Sequence, residues 1–181
     1  DPRERMLEAF SALLASGARV LDLGCGAGLP STKALAGRFN VTGVDISAAQ
    51  IEAARRHVPE ASFVHADLAQ IDFPPGSFDG VTAFYAISHV PRDEHGDLFH
   101  RIARWLVPGG LFLATLGSAD SPDWIGEWLG RPMFFSSHNA EANRRLLAAA
   151  GFELLIDEVI ETAEPQGPVP FLWVLARRVP P

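Results

Sequence analysis

Residues 20–29 read Val-Leu-Asp-Leu-Gly-Cys-Gly-Ala-Gly-Leu, an apolar run that passes one acid and breaks into three alternate glycines. Pro30 and a helix-compatible stretch follow directly. A strand that turns through glycines into a helix makes a shelf where a ligand meets bare backbone and a helix N-terminus. A Cβ in that turn would obstruct both its backbone conformation and the ligand's approach.

The spacing of the glycines narrows the ligand. Dinucleotide sites use G-x-G-x-x-G, the third glycine packing helix on strand. Here Gly24, Gly26 and Gly28 read G-x-G-x-G, and Leu29 stands where the third dinucleotide glycine would fall. Asp22 lies two residues before the first glycine, and a carboxylate there suits an ammonium group better than a pyrophosphate. The pattern resembles the first motif of class I S-adenosylmethionine (SAM) dependent methyltransferases, D-x-G-x-G-x-G, whose acid falls on Asp22 and whose glycines fall on Gly24, Gly26 and Gly28. Cys25 is a small residue inside the same cofactor-binding loop.

The order of elements agrees. Apolar spacing expects helices at 3–15, 30–36, 48–57, 93–106 and 139–150. Apolar runs expect strands at 19–23, 40–44, 61–65, 81–85, 111–116, 152–161 and 169–178. Ser47-Ala-Ala-Gln50 has the form of a capping box opening the third helix. Alternating apolar strands and helices indicate a parallel sheet covered on both faces, and the last two strands, joined across residues 164–168, form an antiparallel pair. Residues 118–137 fit neither period. A chain of 181 residues, 48% hydrophobic, is expected to form a single α/β domain over 1–181, with 118–137 as an acceptor-side insert.

The resemblance runs from Val20 to Arg177 and implies more than the ordering alone. It implies a Rossmann-like three-layer sandwich with a seven-stranded, mostly parallel sheet in the order 3-2-1-4-5-7-6, strand seven antiparallel. Asp45, at the end of the second strand, matches the family's acid that accepts hydrogen bonds from both ribose hydroxyls, a task suited to an acceptor-only carboxylate. Ile46 matches the apolar residue on the adenine face. Asp67 and Leu68 match the segment that meets the adenine amine and a ring nitrogen, and Phe84, in the fourth strand, is a further cofactor-side candidate. The implied cofactor is SAM, with S-adenosylhomocysteine as product.

His89 follows the fourth strand, where the transferred methyl should sit, and Tyr85 ends that strand. His89 is either a base or a hydrogen-bonded lining residue, and lining is preferred because displacement at a sulfonium needs alignment more than strong base help. Trp124, Trp128, Met133 and Phe134 form an aromatic stretch that is either core or acceptor pocket; a pocket is preferred at the ligand-binding edge of an α/β sheet. His57, His65, His95 and His100 read as surface or helix residues, and His138 as a helix-capping one.

The partners follow by exclusion. A net charge of −7 disfavours a nucleic acid backbone. Phe84-Tyr85-Ala86-Ile87 stands where methyltransferases of DNA exocyclic amines carry D/N/S-P-P-aromatic, and the only cysteine lies in the glycine loop rather than in a Pro-Cys pair. A small-molecule acceptor is expected, with no metal-ligand spacing and no membrane span. No signal-peptide pattern is legible at Asp1, and one cysteine suits a reducing cytoplasm, the chain acting as monomer or homodimer. A non-catalytic SAM-binding protein and a nicotinamide-dependent oxidoreductase are the alternatives.

Overall fold

A computed structural model of the chain describes residues 2–128, 130–164 and 167–180, with Trp128 described in its backbone only. Among these residues the elements run α1 (Arg3–Ala12), β1 (Arg19–Leu23), α2 (Ser31–Ala36), β2 (Asn40–Asp45), α3 (Ala48–His57), β3 (Ser62–His65) and β4 (Phe78–Ala83). They continue as α4 (His95–Trp105), β5 (Leu106–Gly117), β6 (Ser121–Trp128), β7 (Arg131–Ser137), α5 (Ala140–Ala149), β8 (Phe152–Glu164) and β9 (Gly167–Arg178).

One sheet has the order β3-β2-β1-β4-β5-β9-β8, and β6 and β7 form a separate pair. β1 runs parallel to β2 and β4, and β5 runs parallel to β4. β9 is antiparallel to both β5 and β8. With the β6–β7 hairpin set aside, this is the order 3-2-1-4-5-7-6 with its seventh strand reversed. The residues at 165–166, in the middle of the expected final turn, lie outside the described residues.

Strand alternation sends neighbouring residues into different cores. Val20, Leu111, Leu113 and Trp173 pack with Met6 and Phe10 of α1 and Leu35 of α2. Leu21, Leu23, Val81 and Phe112 pack with Leu98, Phe99, Ile102 and Trp105 of α4 and Leu147 of α5. Ile51, Ala54 and Val58, along and just past α3, close on Cys25 and Phe63. Both faces of the sheet are therefore sealed, and ligands are left the edge where its parallel strands end.

Several boundaries differ from the sequence reading for local reasons. α1 stops at Ala12, and Leu13 caps it as an exposed side chain while Leu14 packs on the core. β4 begins at Phe78 and ends at Ala83, because Tyr85 takes φ 56°, which a strand cannot continue through. Two 3-10 turns, Ile87–His89 and Arg92–Glu94, then lead into α4. Residues 107–110 bulge out of β5, whose pairing with β4 passes from Phe78 opposite Leu106 to Gly80 opposite Leu111. Only half of the capping box forms. Ser47 Oγ accepts the Gln50 amide at 3.3 Å, but the Ser47 amide goes to Asp45 Oδ1 at 2.9 Å.

The stretch 118–137, which shows no clean period, is the β6–β7 hairpin. A register shift between Ser121 and Trp124 breaks its alternation, and Pro122, Gly126 and Pro132 mask the strand pattern. Trp124 stacks on Phe135 with ring centroids 4.9 Å apart.

Candidate active site

The glycine loop is fastened to β2. The Val44 carbonyl accepts the amides of Gly24 and Cys25 at 2.8 and 3.0 Å, and Asp45 Oδ2 accepts the Gly26 amide at 2.9 Å. The glycines do different work. A Cβ on Gly24 would stand 2.5 Å from the Ala86 Cβ, so this position is small to let the post-β4 segment approach. Gly26 has φ +54° and faces open space. At Gly28 a Cβ would press on Val58 at 3.0 Å, so that glycine serves packing beside α3. His57 Nδ1 donates to the Ala27 carbonyl at 2.8 Å and holds the loop from that side.

Asp45 is shared between the loop and the start of α3. Each of its oxygens accepts one amide, from Gly26 and from Ser47, and each keeps a lone pair for a ligand hydroxyl. The Ile46 carbonyl accepts from His65 Nε2 at 2.8 Å, while the Ile46 side chain is 67% exposed. An apolar side chain so exposed at a cavity wall is suited to cover a flat ring. Asp67 Oδ1 accepts the Ala69 amide at 2.8 Å.

A cavity of about 720 Å³ opens where these segments meet. Gly24, Gly26, Asp45, Ile46, Asp67 and Leu68 line it together with Phe84, Tyr85 and His89 of the post-β4 segment and Met133 of β7. The volume falls in the range of small-molecule and cofactor sites, about 300–1,000 Å³.

The remaining candidates stand elsewhere. Asp22 is 2% exposed; its Oδ2 accepts the Thr32 hydroxyl at 2.6 Å and its Oδ1 accepts the Thr82 hydroxyl at 2.8 Å. It ties α2 and β4 beneath the loop and borders only a neighbouring recess of about 130 Å³, shared with Arg3, Cys25 and Leu29. That recess shares Gly24, Gly26 and Phe84 with the main cavity, so Asp22 is a buried strut at the border of the site. Burial pushes the Asp22 carboxyl above the usual range, and the two threonine hydroxyls partly offset the shift. Cys25 is buried, its thiol pushed up by burial and by the nearby Asp22 and Asp45. Trp124 lies against Phe135 rather than the cavity, and Phe134 enters the site through its carbonyl. The Trp128 side chain lies outside the described residues.

Tyr85 combines backbone strain with a tight ring pocket. Its φ of 56° is uncommon for a non-glycine residue, and Phe171 and Trp173 hold its ring edge-on at 5.0 and 5.9 Å. Its hydroxyl is buried without a hydrogen-bond partner among the described residues. His89 Nδ1 lies 2.9 Å from the Phe134 carbonyl, which only accepts. Nδ1 thus carries the proton in the neutral ring, and Nε2 is left with a lone pair.

The model of a methyltransferase domain matches residues 20–110. The chain belongs to this methyltransferase family. Sterol 24-C-methyltransferase erg6 of Aspergillus fumigatus is 33% identical over 178 residues, covering 88% of this chain and 46% of that protein. The chain spans about half the length of the curated relatives of this kind that it matches. A SAM-dependent methyltransferase from Methanosarcina mazei superposes with TM-score 0.82 at 18% identity over 94% of this chain and 97% of its own. A Burkholderia thailandensis 1,6-didemethyltoxoflavin-N1-methyltransferase, solved with its acceptor and S-adenosylhomocysteine, superposes with TM-score 0.72 at 24% identity, over 97% of this chain and 77% of its own. By family and fold this is a class I, SAM-dependent methyltransferase domain, and the nicotinamide alternative falls away.

The methyltransferase domain holds its hairpin to the post-β4 segment through Arg92, Asp123 and Ser136, not singled out from sequence, and through His138, expected there only to cap a helix. The Arg92 amide donates to Ser136 Oγ at 3.0 Å, Ser136 Oγ donates to Asp123 at 2.7 Å, and His138 Nε2 donates to the Arg92 carbonyl at 2.9 Å. His138 is therefore a tether; Asn139 caps α5 by accepting the Ala142 amide at 2.8 Å. His57 and His65, read as surface residues, hold backbone carbonyls on the cofactor side. Most of these bonds end on main-chain atoms, which leave no residue-type signature. Gln50 and Arg131 also line the cavity.

Proposed function

We propose that this chain transfers a methyl group from SAM to a small-molecule acceptor by in-line displacement that requires no metal. The observation that supports it is one cavity lined by the glycine loop, the carboxylates Asp45 and Asp67, and Tyr85 and His89. The chain's residues fit the cofactor. Asp45 keeps two lone pairs for ribose hydroxyls, Gly26 leaves space at the loop, Ile46 offers an apolar face, and Asp67 and Leu68 line the same cavity. SAM supplies a methyl carbon already activated by its sulfonium charge.

The protein's task is then alignment and the exclusion of water. Phe84 and the glycine loop confine the cofactor, and Asp22 keeps the loop and β4 in register from below. The β6–β7 hairpin, residues 118–137 of the expected insert, forms the acceptor side, with Met133 as the apolar contact and Phe134 acting through its carbonyl. His89 presents Nε2 as a hydrogen-bond acceptor to the attacking hydroxyl or amine, and it orients that group rather than serving as an obligatory base. Tyr85 lines the same cavity and borders that ligand.

Among the described residues no helix is long and apolar enough to cross a membrane. The reading extends to a cytoplasmic protein, monomer or homodimer, that acts on small molecules rather than nucleic acid. An acid excess of 22 over 15 and a lone cysteine support it.

An acceptor screen that detects S-adenosylhomocysteine, with products identified by mass spectrometry, tests the function. Turnover with at least one small molecule is expected. Binding of SAM without turnover across a broad panel would favour the non-catalytic alternative.

A further inference from the structure

The far wall of the cavity carries one more piece of chemistry. Phe84, Ala86, Val90, Pro132 and Met133 make it largely apolar, and Arg131 supplies the one arginine or lysine among the residues that line the cavity. Several other arginines pair with carboxylates, as in Arg19–Asp79 at 3.1 Å, Arg104–Asp72 at 2.5 Å and Arg144–Asp157 at 2.8 Å, and others donate to backbone carbonyls, as Arg101 does to Ile71 and Ala69. Arg131 has no ion-pair or hydrogen-bond partner among the described residues.

We propose that the acceptor is a small, largely apolar molecule bearing a carboxylate, and that Arg131 receives this carboxylate. The inference rests on the methyltransferase reading above and names its substrate class. The guanidinium fork matches a carboxylate through two parallel N–H donors. A phosphate dianion is a poorer match, since one arginine would have to balance two charges in a cavity that also holds Asp45 and Asp67.

Placement separates recognition from reaction. Arg131 stands on the hairpin, whereas Tyr85 and His89 lie in the segment after β4 with Ala86, which closes on Gly24. The carboxylate is therefore a handle held at the hairpin. The methylated atom is a second group, a hydroxyl or amine whose hydrogen faces His89 Nε2. The free Nε2 face of His89 gives that second group its hydrogen bond.

The test uses benzoate and benzamide, which share an apolar body and differ in charge. Both are titrated into the chain saturated with S-adenosylhomocysteine and followed by ligand-observed NMR in low salt. Benzoate should bind tighter than benzamide by roughly tenfold or more, the expected size of a charge-assisted contact. Arg131→Gln should abolish that preference and Arg131→Lys should restore part of it, with calorimetry giving the same S-adenosylhomocysteine affinity in all three proteins. Equal binding of the two probes, no binding of either, or a preference that survives Arg131→Gln overturns the proposal alone. Failure of S-adenosylhomocysteine to bind the wild-type chain overturns the methyltransferase reading and this one with it.

Discussion

The Gly26 amide donates to Asp45 Oδ2 at 2.9 Å, so the middle of the glycine loop and the end of β2 are one hydrogen-bonded unit. The same carboxylate accepts the Ser47 amide at 2.9 Å and thereby fixes the entry to α3. One side chain holds the loop, starts a helix and still has lone pairs directed at the cavity. The loop and its acid are thus shaped together before any ligand arrives, which keeps the ordering cost of binding low.

Asp45→Ala should therefore fail twice. S-adenosylhomocysteine affinity should fall by about 1.5–3 kcal/mol, the scale of hydrogen bonds to a charged group. Unfolding free energy in urea should also fall, by roughly 1–2 kcal/mol, because two amides lose their acceptor. Asp45→Asn keeps one acceptor oxygen and should fall between the two. Calorimetry that shows unchanged affinity in Asp45→Ala would remove this residue from the site.

The strut beneath the loop predicts a different pattern. Thr82→Val and Thr32→Val each remove one hydroxyl from a carboxylate that is 2% exposed. Each variant should lose roughly 1–3 kcal/mol of stability, the cost of leaving a buried polar group under-satisfied. Affinity for S-adenosylhomocysteine should change less than in Asp45→Ala. A cofactor loss as large as that of Asp45→Ala, with stability intact, would instead put Asp22 in contact with the ligand.

How much of this is legible in residues alone depends on what kind of atom makes each contact. The loop at 20–29 announces itself because its backbone needs particular residue types, and Gly24 and Gly26 carry that need in their identity. Asp45 is legible because the acid ends an apolar strand. The hairpin is not: Pro122, Gly126 and Pro132 interrupt its period, and its position depends on Phe134 and Arg92 main-chain atoms held by His89, Ser136 and His138. A backbone carbonyl has no residue name, so His57 and His65 look like surface residues until the fold shows what they hold. Asp22 is legible as an acid two residues before the glycines, but its bonds to Thr32 and Thr82, ten and sixty residues away, are not.

His95 makes stability depend on pH. Burial pushes its imidazole below the usual value, and Nε2 donates to the Val90 carbonyl at 2.8 Å. The His138 ring, 5.6 Å away, lowers it further, while Asp123 and the backbone contacts partly oppose the shift. Above about pH 6.5, the ordinary histidine value, the ring is neutral in both states and His95 imposes no proton-linked penalty. As pH falls from there toward the depressed native value, the unfolded chain takes up a proton that the folded chain refuses, and stability declines. Urea unfolding from pH 8 to 5 should show that decline, and His95→Phe should flatten it. An equally steep profile in the variant would assign the dependence to other groups.

His89 can be divided between its two nitrogens. Asparagine places its amide near the Nδ1 position, so His89→Asn should keep a donor for the Phe134 carbonyl while removing the Nε2 acceptor from the cavity. His89→Gln places its amide near Nε2, and so keeps a polar atom facing the acceptor while releasing the hairpin. If the ring orients the acceptor and Phe134 anchors the ring, His89→Gln should retain most of the turnover with a raised acceptor KM. His89→Asn should lower turnover by about tenfold, one hydrogen bond's worth of alignment. Neither variant should change S-adenosylhomocysteine affinity. A loss of about 10²–10⁴-fold in both, with the wild-type rate following a titration near neutrality, would make His89 the base. That outcome would also require the proton of the attacking group to leave during methyl transfer, a demand that displacement at a sulfonium does not itself impose.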